Sequence, residues 1–231
     1  MNAVTVALSH ALEAALRAAP DVADVVLLRG AGGNFSVGGD FKELARLRAD
    51  GPDAMRELFE TFGRACGLIA ELPIPVIAVV DGFALAGGFE LMQACDIALV
   101  ADDATLADHH LNFAMIPGGG GSQRLPRLIG RQRALAHLLT GERLSGAEAA
   151  RLGLAMRALP SEQLTDAAAD LASTLASKDR AALAKVKFLV AAGLELPLAD
   201  ALALERRVVL EHLANDGAMD ALVANRQAER R

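Results

Sequence analysis

The strongest constraint on the fold is a plan that the chain uses twice. "DVVLLRG" (Asp24 to Gly30) is an apolar run that enters the glycine-rich "GAGGNFSVGGD" and then the helical pattern "FKELARL". "PVIAVVDG" (Pro75 to Gly82) is a second such run, bounded by Pro73 and Pro75, and leads through "FALAGG" into another helical stretch. Continuous apolar runs read as strands covered on both faces, so strand, glycine loop, helix, repeated, predicts an α/β fold with parallel strands. "DIALVADD", "ATLAD" and "GLAMRAL" (Gly153 to Leu159) supply further strands. After Pro160 the periodicity is helical, over roughly 161 to 176, 178 to 193, 197 to 214 and 217 to 230. The expected organisation is a core over 1–160 that carries the site and a helical region over 161–231.

A chain of 231 residues with 53% hydrophobic content can bury a substantial core. Its net charge of -6, with 23 scattered Lys and Arg residues, argues against a nucleic-acid partner. No uncharged run approaches the roughly 18 apolar residues of a membrane span, and "MNAVTVALSHALEAALRAAP" lacks the basic start of a secretory signal. Cys66 and Cys95 form no CxxC pair and sit in apolar helical contexts. A soluble, cytoplasmic protein is expected.

Within the second helix, "GGFELMQAC", Glu90 stands among Phe89, Leu91, Met92 and Ala94. A buried, unpaired carboxylate costs several kcal/mol or is driven toward its neutral form, so Glu90 calls for a functional explanation. Glycine turns before helices most often bind phosphate, but "GNFSVGGD" continues Gly39-Asp40 where a P-loop needs Lys and Ser/Thr. "GAGGNF" puts Phe35 where the dinucleotide fingerprint needs its last glycine, and "GGGGSQR" lacks the closing glycine of GxSxG. What remains is two glycine turns offering backbone N–H groups at helix starts. Two such groups converging on one carbonyl make an oxyanion hole, and Glu90, three residues past Gly87, would be placed to move a proton beside it. Turn geometry alone is the competing explanation for the glycines.

At these residues the chain resembles the crotonase family of enoyl-CoA hydratases and isomerases. "FSVGGDFKEL" and "PVIAVVDGFALAGGFELMQACDI" are similar to its two signatures, and "IPGGGGSQRLPRLIG" and "LTGERLSGAEAARLGL" extend the match. The resemblance implies a spiral of ββα units followed by helices, assembled as trimers or hexamers. It puts the oxyanion-hole amides on Gly39 and Gly87, the first catalytic glutamate on Glu90, and coenzyme A against Phe35, Ser36, Val37, Gly38, Asp40 and Lys42, with its adenine end at the loop from Phe35 to Asp40. No cofactor is implied beyond the coenzyme A of the acyl-CoA substrate.

The chain departs from the family in two places. Hydratases carry a second glutamate twenty positions after the first, and here that position is His110. "MNAV" is similar to an element that a β-hairpin normally precedes, and the hairpin is absent, through loss or a misassigned start. "ADHHLNF" also admits a metal reading, but neighbours on a strand face opposite ways and no other ligand cluster is evident. His110 is expected as a cleft residue acting on substrate or water beside Glu90, with a structural histidine as the rival. Hydration of a 2-enoyl-CoA is the first expectation, followed by double-bond isomerisation, then thioester hydrolysis or decarboxylation. A non-catalytic acyl-CoA-binding relative and a nucleotide-dependent oxidoreductase are the alternatives of other classes.

Overall fold

A computed structural model describes residues 1–214. Helix α1 (Val6–Val22) precedes β1 (Val26–Arg29), α2 (Phe41–Asp50) and α3 (Pro52–Glu71). Then come β2 (Val76–Val80), β3 (Phe83–Leu85), α4 (Gly87–Ala94), β4 (Ile97–Ala101) and β5 (Thr105–Ala107). A 3₁₀ turn (His110–Phe113) leads to α5 (Gly121–Ile129), α6 (Arg131–Thr140), β6 (Leu144–Ser145), α7 (Gly146–Leu152) and β7 (Arg157–Leu159). The remainder of the described chain is helical: α8 (Ser161–Ala176), α9 (Arg180–Gly193) and α10 (Leu198–Leu213). The helix expected over 217 to 230 lies outside the described residues.

The strands form two sheets that the chain visits alternately. One is parallel throughout, in the order β1-β2-β4-β7, and the other has the order β3-β5-β6, with β3 and β5 parallel. A bridge between Ser36 and Ala84 extends the second sheet toward the first loop. Each turn of chain therefore lays one segment on each sheet and then a helix: β1, Ser36, α2; then β2, β3, α4; then β4, β5, α5. This is a spiral of ββα units. All five residues of β2 are buried, as befits a strand flanked on both edges and covered on both faces.

The apolar face of α3 carries Leu58, Phe62, Ala65 and Ile69 into the core, where they back α4. Asp40 caps α2, accepting from the Lys42 and Glu43 amides at 2.9 Å each. Helix α8 buries Leu164 and Ala168 against the parallel sheet, whereas α9 and α10 pack mainly on each other. Lys187 on α9 is tied to the core through the Ile74 carbonyl (2.9 Å) and Asp96 Oδ2 (2.6 Å). Both cysteines are free, and burial pushes the Cys66 thiol up to about 12. No described helix is long and apolar enough to cross a membrane.

Candidate active site

The two glycine turns meet, and the glycines are what let them. A Cβ on Gly88 would lie 2.3 Å from the Ser36 carbonyl oxygen, and one on Gly38 would lie 2.7 Å from the Ala86 Cβ. Side chains at those positions would hold the loops apart. In contact, the loops bring Gly39 and Gly87 to one cleft. Gly87 opens α4, so its N–H has no intrahelical acceptor. Gly39 pairs with Val4 through its flanking groups, the Gly38 carbonyl and the Asp40 amide. In a parallel bridge that arrangement turns the Gly39 N–H away from Val4. Both glycines line the cleft.

The cleft encloses about 350 Å³ and is walled largely by Leu58, Phe59, Phe62, Leu85 and Met115. At its rim the Phe41 and Phe113 rings stand 5.0 Å apart. Glu90 reaches this space from α4 and is only 1% exposed. Its Oε1 accepts from the Gly119 and Gly121 amides at 2.8 Å each, which leaves Oε2 as the oxygen not tied to that loop. Arg124 on α5 fixes the loop by donating to the Gly119 carbonyl at 2.6 Å. Burial pushes the Glu90 carboxyl above its ordinary value, outweighing the Gly121 and Gly119 N–H groups and the nearby His110.

His110 faces Glu90, with Nε2 3.7 Å from Oε2. That separation exceeds a hydrogen bond, so the two groups are not locked together. The Nδ1 of His110 is 2.9 Å from Asp108 Oδ1, and Asp108 is 1% exposed. Burial alone would lower the imidazole's pKa. The Asp108 hydrogen bond and charge, with the charge of Glu90, override burial and leave it raised.

The strand expected through the two histidines ends earlier. β5 stops at Ala107, His109 takes a left-handed conformation (φ 60°), and a 3₁₀ turn begins at His110. Neighbouring residues are thereby released from strict alternation, and both histidines line the cleft instead of facing opposite ways. Among the described residues no group of three His, Cys, Asp or Glu is arranged to hold a metal.

Of the other residues singled out from the sequence, Val37 and Asp40 line the cleft. Phe35 is buried in the core, and Ser36 is buried with its hydroxyl donating to the Asn2 carbonyl at 2.7 Å. Gly38 shapes the turn (φ 84°), and Lys42 is exposed on the first turn of α2, outside the cleft lining. Asp108 entered the sequence reading only as a possible metal ligand beside the two histidines, and Gly119 and Gly121 did not enter it as site residues. The glycine run before α5 was visible, but its length gave no hint that two of its amides would seat on Glu90.

Spiral and cleft together define an α/β protein of the crotonase type. The chain belongs to the enoyl-CoA hydratase/isomerase family, whose profile matches residues 1–229. It is 35% identical over 234 residues to a Rhizobium meliloti (strain 1021) protein named "probable enoyl-CoA hydratase", covering 99% of this chain and 89% of that one. The enoyl-CoA hydratase of Bacillus anthracis superposes with a TM-score of 0.91 at 33% identity, covering 98% of this chain and 88% of the other. A Thermobifida fusca YX protein crystallised in complex with CoA superposes at 0.83, with 28% identity and coverage of 92% and 84%.

Proposed function

We propose that this protein hydrates a 2-enoyl-CoA. The observation that carries the reading is a buried carboxylate, anchored by two amides, opening onto a cleft that Gly39, Gly87 and an imidazole held by Asp108 also line. A thioester oxygen placed at the Gly39 and Gly87 amides would gain negative charge as an enolate forms. Two fixed donors in an apolar cleft can contribute about 3 kcal/mol each to stabilising that charge.

Glu90 and His110 divide the proton transfers. His110, held at Nδ1 by Asp108, offers the Nε2 lone pair to water. As Nε2 takes one proton, the hydroxyl oxygen bonds to Cβ and the alkene electrons move onto the thioester oxygen. Protonated Glu90, favoured by its burial, then delivers a proton to Cα and the enolate collapses. One water has been added, with H on Cα and OH on Cβ, and a second proton exchange resets the pair. Every step uses the chain's own groups and the substrate's coenzyme A. No further cofactor enters this reading.

In the same reading the protein works in the cytoplasm, with reduced thiols, and assembles as a trimer or hexamer. The test is loss of the conjugated enone absorbance of crotonyl-CoA on adding protein. Loss with 3-hydroxybutyryl-CoA as product supports hydration. Conversion of a 3-enoyl-CoA to its 2-enoyl isomer, with no hydration, would replace this reading with an isomerase. A melting temperature raised by CoA with neither reaction would leave an acyl-CoA-binding protein.

A further inference from the structure

The histidine at position 110 is joined by an aspartate the family resemblance did not bring forward. Asp108 lies two residues earlier, and the left-handed conformation of His109 folds the backbone so that the Asp108 side chain meets both the ring and the amide of His110. Oδ1 is 2.9 Å from Nδ1, while the His110 N–H approaches the same oxygen at 3.4 Å. Oδ2 is buried with no hydrogen-bond partner, and it lies near Gly121, one of the two residues whose amides anchor Glu90. This is a carboxylate committed to one imidazole.

We infer that Asp108 is the positioning residue of the site: it fixes the His110 tautomer and, with His110, replaces the second carboxylate of a two-glutamate hydratase. This deepens the hydratase reading above and rests on it. An ionised carboxylate can only accept, so it selects the tautomer with the proton on Nδ1 and leaves Nε2 as a base facing Glu90. Formal charge gives the second argument. Two glutamates sharing one proton carry one negative charge. Ionised Asp108, neutral His110 and protonated Glu90 carry the same charge, and passing a proton to His110 and one out of Glu90 leaves the total unchanged. A histidine without Asp108 would lack that negative charge.

The charged and titratable groups around the dyad are Glu90 from α4, His109 on the same turn, and Arg143, whose Nε is 3.4 Å from His109 Nε2. Arg124 from α5 donates to the Gly119 carbonyl. Glu90 is thus the only carboxylate other than Asp108 that is in salt-bridge range of His110 among the described residues.

This predicts a specific non-additivity. Asp108→Asn can donate an amide proton to Nδ1 and invert the tautomer, so kcat for crotonyl-CoA should fall about 10²- to 10³-fold, with KM nearly unchanged. His110→Glu alone places three carboxylates in one buried site and should also be poor. Asp108→Asn combined with His110→Glu restores the two-glutamate charge and should exceed both single variants by about tenfold or more. Its acidic pH limb should move below that of the wild-type protein. The tautomer can be read without turnover: imidazole ¹⁵N shifts of the wild-type protein, assigned with His110→Gln and followed upward in pH until the ring is neutral, should then show Nδ1 protonated and Nε2 bare.

The inference is overturned by an Nε2-protonated tautomer, by Asp108→Asn with wild-type rate and pH profile, or by a double variant no better than the singles although folded by thermal melting. If any variant fails to fold, the wild-type ¹⁵N spectrum decides. If the wild-type protein does not hydrate crotonyl-CoA at all, the hydratase reading fails, while the spectrum still reports whether Asp108 sets the tautomer.

Discussion

Glu90 concentrates the conflict between stability and function at the level of one residue. Its carboxyl is raised above the ordinary 4.5 by burial, so below pH 4.5 it is protonated in folded and unfolded chains alike. As pH rises through the higher folded value, the unfolded state releases protons first and the native state loses stability. Glu90→Gln removes that penalty, keeps an oxygen for the Gly119 and Gly121 amides, and presents an N–H to His110. It should melt higher than the wild-type protein at pH 8, with the difference closing below pH 4.5 in a series of thermal scans. Turnover should fall about 10²- to 10⁴-fold while CoA still raises the melting temperature. His110 is raised above 6.5, so its stabilising effect is fully present below 6.5 and is lost as pH rises through the folded value. A base must be neutral, so kcat/KM should fall on acidification with a midpoint above 6.5, a value that belongs to the coupled His110–Glu90 pair.

At the level of elements, the glycines divide by what surrounds them. Gly88, in the first turn of α4, sits against the Ser36 carbonyl, and a methyl group there would force the two loops apart. Gly88→Ala should destabilise by about 1–3 kcal/mol in urea titrations and should impair turnover by displacing the Gly87 amide. Gly63 and Gly67 lie inside α3 with open space where a Cβ would be. Replacing either with Ala should stabilise by about 0.5–1 kcal/mol, because alanine loses less backbone entropy in a helix. If all three substitutions behaved alike, glycine would be serving flexibility and not loop contact.

For the molecule as a whole, the contrast between core and C-terminal helices predicts assembly. Among the described residues, α9 has none buried and α10 has only Val208. Val186, Phe188, Val190, Leu194, Leu198 and Leu210 are each at least half exposed. So much apolar surface on neighbouring elements is unusual for a monomer in water. Light scattering should report a trimer or hexamer of the 24.0 kDa chain, and a monomer at micromolar concentration would refute this.

What the sequence determined by itself was whatever depends on near neighbours. The apolar run at Val76–Val80, the glycine turns and the helix around Glu90 are written in local periodicity, and a lone carboxylate in an apolar helix announced its own burial. Position 110 was legible as a departure from the family pattern, but its meaning was not. That meaning depends on a left-handed residue, His109, and on a carboxylate brought onto the ring by a turn where the pattern suggested a strand. Gly119 and Gly121 reach Glu90 across 29 and 31 residues. Only the folded chain decides such contacts, because the same glycine run could seat its amides on any acceptor that packing brought within reach.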